Sequence, residues 1–241
     1  MLNRFAIRIA TVRALRGRTL VGQNVRDSEI GPIEDIAADA PTPIITVYTD
    51  DGLYRVQGRD LFTVGGDSRV ETGWLSLVIE IALTQRMVIA DDGTMDVVQP
   101  KTDAAMEANI DFIERQVLAA LSDTRGTASW PEMWRRFATD VGDRQSERGT
   151  MSREGVRFAG RKVVLQVRVP KDPPPGEPIG RLWLDFLALC TSENDLAPLV
   201  PILTDLLEGA PLTDVERVRA AFNFSRNEAT AMLLGEPDDT P

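Results

Sequence analysis

The sequence has no histidine and a single cysteine among its 241 residues. Without imidazole, Ser-His-Asp and Cys-His nucleophilic catalysis are excluded, and the commonest zinc ligand is missing. One cysteine cannot close a disulfide within the chain, which points to a reducing compartment, and it cannot build a structural zinc site. Cys190 ends the apolar run Leu-Ala-Leu-Cys and reads as a buried, inert thiol. No stretch approaches the roughly 18–20 apolar residues of a membrane span. The first residues also lack the compact apolar run and cleavage site of a secretory signal, so the expectation is a soluble protein made in the cytoplasm.

What remains is an ordinary globular balance, 43% hydrophobic and 27% charged. A fold of this size hides roughly 70–75% of the surface of its unfolded chain, so a self-sufficient core needs neither disulfide nor metal. The charge is unevenly spread. Residues 1–26 hold six arginines (Arg4, Arg8, Arg13, Arg16, Arg18 and Arg26) and no acid, in a chain of net charge −10. The rest therefore carries −16, and so acidic a body disfavours tight binding to a nucleic-acid backbone. A basic end beside an acidic body suits head-to-tail contact between copies. A solvated basic helix is the plainer alternative.

Along the chain, Leu2, Phe5, Ile9 and Val12 recur at helical spacing, so residues 2–16 read as a helix ended by Gly17. Arg16 falls on the same stripe, so the helix is not cleanly two-faced. Residues 27–43 are loop-like. Ile44 to Thr49 reads as a strand entering a turn at Asp50-Asp51-Gly52, with Tyr54 and Val56 on a short returning strand. Between Trp74 and Thr84 the period of two is unbroken, with Leu75, Leu77, Ile79, Ile81 and Leu83 on one face, before a turn at Asp91-Asp92-Gly93. Met106, Ile110, Ile113, Val117 and Leu121 predict a helix over 103–122. Trp130, Trp134 and Phe137 predict a short second one, with Pro131 just inside its start. Residues 138–155 are polar and glycine-containing and read as a mobile loop. Val163, Leu165, Val167 and Val169 then alternate as a last strand.

Three consecutive prolines within residues 171–178 forbid helix and central strand and mark the best linker. The expected organisation is a domain over 1–170, this linker, and a helical extension over 179–241. Leu196, Leu199, Leu203 and Leu206 keep helical spacing, but Pro198 and Pro201 require that helix to start late or kink. Thr213 with Glu216, and Ser225 with Glu228, form two capping boxes ahead of further helices, and residues 235–241 read as a frayed acidic tail.

Candidate chemistry is sparse. Gly58 and Gly65-Gly66 fit neither phosphate-loop pattern and read as turns. Asp50-Asp51 and Asp91-Asp92 precede glycine after strands, where aspartate favours turn geometry, so a cation site is the lesser reading and no metal or cofactor is expected. Trp130 and Trp134 beside Arg135-Arg136 suggest nucleic acid at first sight. Aromatics at this spacing more often belong to a core or a protein interface. Candidate subunit-interface residues are Arg4, Arg8, Arg13, Arg16, Trp130 and Trp134.

Five segments occur in a recognisable order. They are Gly22-Gln-Asn-Val25-Arg-Asp27-Ser-Glu-Ile30-Gly-Pro32, Pro43-Ile-Ile-Thr-Val-Tyr-Thr-Asp-Asp51, Leu75-Ser-Leu-Val-Ile-Glu-Ile-Ala82, Asn109 to Leu121, and Gly160 to Val169. Over about residues 1–170 this order resembles the tail terminator (tail completion) proteins of long-tailed bacteriophages and related phage-like particles. The resemblance implies an α+β fold: a mixed, largely antiparallel β-sheet flanked by helices, here with a C-terminal helical extension. It further implies a structural protein and not an enzyme, a homohexameric ring that caps the tail tube and any sheath in the virion neck. Its partners would be the tail tube protein, the sheath protein and the head–tail connector or stopper, with DNA passing through the bore without tight binding and no membrane involved. Assembly would take place in the cytoplasm of a bacterial host. Another neck or head-completion protein, or a non-viral binding protein, remains the alternative. Either long strand, 74–84 or 163–169, is a candidate for edge pairing with a neighbouring copy or for a central position.

Overall fold

Strand β3 (Gly73–Ile89) forms the spine of the first of two compact units in the computed structural model, and the chain passes between the units at Lys171 and Asp172. The structure describes residues 2–28, 43–53, 73–89, 95–98, 103–153, 156–170, 172–174 and 176–210. In the first unit the elements run α1 (Leu2–Leu15), β1 (Val25–Asp27), β2 (Ile44–Leu53), β3, β4 (Met95–Val98), α2 (Asp103–Leu121), α3 (Trp130–Phe137), β5 (Asp140–Arg153) and β6 (Val156–Val169). The strands form one sheet in the order β1-β2-β3-β6-β5, with β4 also bonded to β3. β1 runs parallel to β2 and every other pairing is antiparallel, so the fold is α+β with a mixed, largely antiparallel sheet.

The period of two in β3 does what it predicts: Leu75, Leu77, Ile79, Ile81 and Leu83 are buried on one face. Val163, Leu165, Val167 and Val169 of β6 and Ile45 and Val47 of β2 share that face and are buried with them. Full burial of one such side chain contributes about 1.5–3 kcal/mol, so this apolar layer is the main source of stability. Helix α2 closes it with Met106, Ile110, Ile113, Val117 and Leu121, the first two packing on Leu83 and Ala159. The second face is not wholly solvated either, because Ile44, Val78 and Ala82 are buried there.

Helix α1 is buried nearly all round, on Ala6, Ile7, Ile9, Ala10, Thr11, Val12, Ala14 and Leu15. It contacts β1, β2, α2 and, most extensively, α3. That central position explains why its pattern is not two-faced. The buried Thr11 hydroxyl donates to the Ile7 carbonyl 2.6 Å away, and Gly17 ends the helix with a left-handed φ of 68°. In α3 Pro131 lies in the first turn, where its missing N–H is harmless, and the Glu132 carboxylate accepts the Ala128 N–H.

Two expectations change. Residues 140–153 are not a loop but the long strand β5, paired with β6 from Arg153 opposite Val156 to Asp140 opposite Arg168. Asp50-Asp51-Gly52 is not a turn: β2 continues through it to Leu53, the register shifting between Thr49 and Gly52. Of the two positions left open for β3 and β6, both strands take the central one, bonded on two sides, so neither can take a neighbour's strand at its edge. Gly58, Gly65-Gly66, Tyr54, Val56, Asp91-Asp92-Gly93 and both capping boxes lie outside the described residues.

From Arg181 to Glu208 the second unit is mainly helical. Helix α4 (Arg181–Thr191) is followed by a 3-10 turn (Ala197–Leu199) and helix α5 (Val200–Glu208). Pro198 and Pro201 sit in the first turns of the last two, so the helix starts late and does not kink. Trp183 and Phe186 meet edge to face at 5.6 Å in a core shared with Cys190, Leu196, Leu199, Ile202, Leu203 and Leu207.

Candidate interaction surface

Arg8 of α1 and Arg16, just past the end of that helix, are turned inward to build one edge of the sheet. Strand β1 uses alternate backbone groups against β2: the Asn24 carbonyl accepts the Ile45 N–H at 3.1 Å, and the Ser28 N–H donates to the Val47 carbonyl at 2.9 Å. The Val25 carbonyl therefore faces outward, where another strand would bond it. Arg16 occupies it instead, donating through Nε at 3.1 Å and Nη2 at 3.0 Å. Arg8, two turns earlier, pairs with Asp27 at the other end of β1 and lies over the Phe5 ring. This edge is three residues long and plugged.

The six candidate interface residues do not form one patch. Arg8 and Arg16 are used within the chain, and Arg13 follows Arg4 by nine residues, half a turn around the helix. Trp134 is 6% exposed and belongs to the core, a correction to its reading as an interface aromatic. Its indole nitrogen and the Arg4 Nε are both buried without a hydrogen-bond partner. Trp130 is half-buried at the start of α3.

The opposite edge, β5, was invisible in the sequence. All ten residues 140–149 are exposed, and no described strand lies beyond them. The register of β5 shifts between Val141 and Arg144, at Gly142, where the Trp74 ring comes so close that an added Cβ would lie 3.0 Å from it. The Arg168 guanidinium stacks on the same ring, 5.3 Å from its centre. Farther along, the hairpin is tied to α2 by charge. Arg161, 17% exposed, donates to Glu107, Asp111 and Glu114 at 3.0–3.1 Å. Arg148 of β5 reaches Glu107, and Ser146 reaches Glu114.

On the face away from α2, β3 and β6 match rung by rung: Trp74 with Arg168, Ser76 with Gln166, Val78 with Val164, Glu80 with Lys162. Cross-strand pairs of this kind each contribute roughly 0.2–1 kcal/mol. The Gln166 amide donates to the Ser76 hydroxyl at 2.9 Å, and the Tyr48 hydroxyl donates to Glu80 at 2.7 Å. Burial, then the hydrogen bond to Glu80, push the Tyr48 phenol well above its ordinary range, so it stays a donor and cannot serve as a base near neutrality. Among the described residues no three Cys, Asp or Glu side chains group to hold a metal ion, and no helix is long and apolar enough to cross a membrane.

No known protein-family model matches this sequence, and no curated protein does. The described surface carries ion pairs, a cation stacked on an aromatic ring and an edge strand with no described neighbour. The five ordered segments of the sequence meet in the first unit of the fold. β1, β2, β3 and β6 carry four of them side by side in the sheet, and α2, which covers it, carries the fifth.

Proposed function

We propose that this chain is a structural assembly protein of a phage-type particle, a tail terminator closing as a six-membered ring on the end of the tail tube, and of the sheath where one is present. The observation that carries this reading is the unlikeness of the two sheet edges. A ring of identical copies needs a heterologous contact, with different patches on the two sides of each subunit. A short edge plugged by Arg16 on one side and a long open strand on the other supply such a pair. The assembly of the five resembling segments into one sheet and its covering helix supports the same reading.

In this function shape replaces bond-making. The ring halts polymerisation of the tube and offers its upper surface to the head connector, while an acidic bore lets DNA pass without adhering. Antibody raised against the chain should label the head–tail junction of purified particles in negative stain. Label at the distal tip, or none, removes the proposal. Label at the neck on the connector side instead identifies a stopper or head-completion protein. A reconstructed ring should have a net negative lumen, and one lined by arginine or lysine counts against free passage of DNA.

A further inference from the structure

The outward face of α2 is unlike that of a solvated helix. Diametrically opposite its buried row stand Ala108, Phe112, Arg115 and Ala119. Phe112 is 59% exposed among alanines, where a solvated helix carries lysine or glutamate. Leu20, 57% exposed, extends the patch, because its N–H donates at 2.8 Å to the side-chain oxygen of Gln116, one turn beyond Phe112. Scattered single apolar residues on a surface need no explanation, but two neighbours on one helix flank do.

The charges around this patch say what covers it. Asp111 and Arg115 lie one turn apart along one border of the face, with Phe112 along the other. Two α2 helices packed antiparallel about a two-fold axis beside Ile113 bring Asp111 against the partner's Arg115, and Arg115 against the partner's Asp111. The same register sets Ala108 against the partner's Ala119, where small side chains permit close approach. It also places the two Phe112 rings side by side at the axis. Asp111 keeps 61% of its side chain exposed while binding Arg161, so its carboxylate has lone pairs left for a second arginine. A patch complementary to itself under a two-fold is what an isologous contact requires. We propose that α2 packs antiparallel on α2 of a second copy, with Phe112 at the axis.

This contact is independent of the ring. It doubles whatever the other contacts build, so that a monomer becomes a dimer and a six-membered ring becomes a pair of rings. Sedimentation of the full chain should give two copies, or twelve where the ring forms, and Phe112→Asp should halve the mass. Arg115→Asp, which sets carboxylate against carboxylate, should halve it too. Phe112→Cys should form a disulfide-linked dimer under mild oxidation, since the native Cys190 is 1% exposed. A control thiol at the exposed Leu184 should not. Unchanged mass in both charge variants, or cross-linking of Phe112→Cys no greater than that of Leu184→Cys, overturns the two-fold contact. A hexamer that ignores these substitutions would leave the ring reading standing without it, whereas failure of the ring reading appears as absence from the particle neck.

Discussion

The two edges of the sheet meet the same physical problem in opposite ways. An edge strand presents unpaired N–H and C=O groups that invite another chain. At β1 the invitation is withdrawn: three residues pair with β2, and the guanidinium of Arg16, just past the end of α1, takes the outward Val25 carbonyl. At β5 the edge is long, no described strand lies beyond it, and it carries mixed charge (Asp140, Asp143, Arg144, Glu147 and Arg148) and a register break beside Trp74. The first edge is finished within the chain. The second is defended against indiscriminate pairing yet left accessible, which is what selective contact asks of a surface.

Substitutions at each edge test this contrast. Arg161→Ala should act most strongly, because it leaves Glu107, Asp111 and Glu114 without their shared cation; a loss of about 3 kcal/mol in urea unfolding is expected. Hydrogen exchange should then rise in β5 before it rises in β1. Arg16→Ala opens the finished edge. It strips the partner from the carbonyl of a residue 1% exposed, at a cost of about 2 kcal/mol, and the variant should aggregate more readily than wild type. Gly142→Val drives a side chain toward the Trp74 ring, and about 1 kcal/mol of destabilisation should follow, read as a lower melting temperature. If instead it costs nothing, the close approach at the open edge is not a constraint.

Asp123 lies at neither edge and should have the smallest effect. Hydrogen bonds from Arg125, with Arg18 adding another, hold its carboxyl below the usual aspartate range. A depressed carboxyl pKa contributes stability that is complete at neutral pH and fades as pH falls toward the folded-state value. The gap in melting temperature between wild type and Asp123→Asn should therefore be small at neutral pH and narrow in acid, with exchange at both sheet edges unchanged.

What the sequence reveals depends on what covers each element. β3, β6 and α2 were legible because apolar layers impose periods of two or 3.6 on Leu75 to Leu83, Val163 to Val169 and Met106 to Leu121. β5 was not, because burial is the source of any alternation and neither of its faces is buried from 140 to 149; backbone pairing with β6 alone makes it a strand. Asp50-Asp51-Gly52 carries turn chemistry, but β3 pairs across it and the strand absorbs the irregularity as a register shift. Of the candidate interface, the arginine-rich α1 was read correctly as a helix, but the work of Arg8 and Arg16 depends on β1, which no sequence pattern marked. Phe112 does stand out in the sequence, as an aromatic residue opposite the apolar row of a strongly patterned helix.

The pairings also set an order of events for the newly made chain. β5 and β6 meet across a two-residue connection, whereas the β3–β6 pair nearest in sequence, Arg86 with Val156, encloses 69 residues. Closing a hairpin takes microseconds, and long closures are slower because their entropy must be lost first. Pulse-labelled exchange during refolding should protect β5–β6 amides before those joining β3 to β6. The strand that faces outward in the finished molecule would thus take form before the core behind it exists.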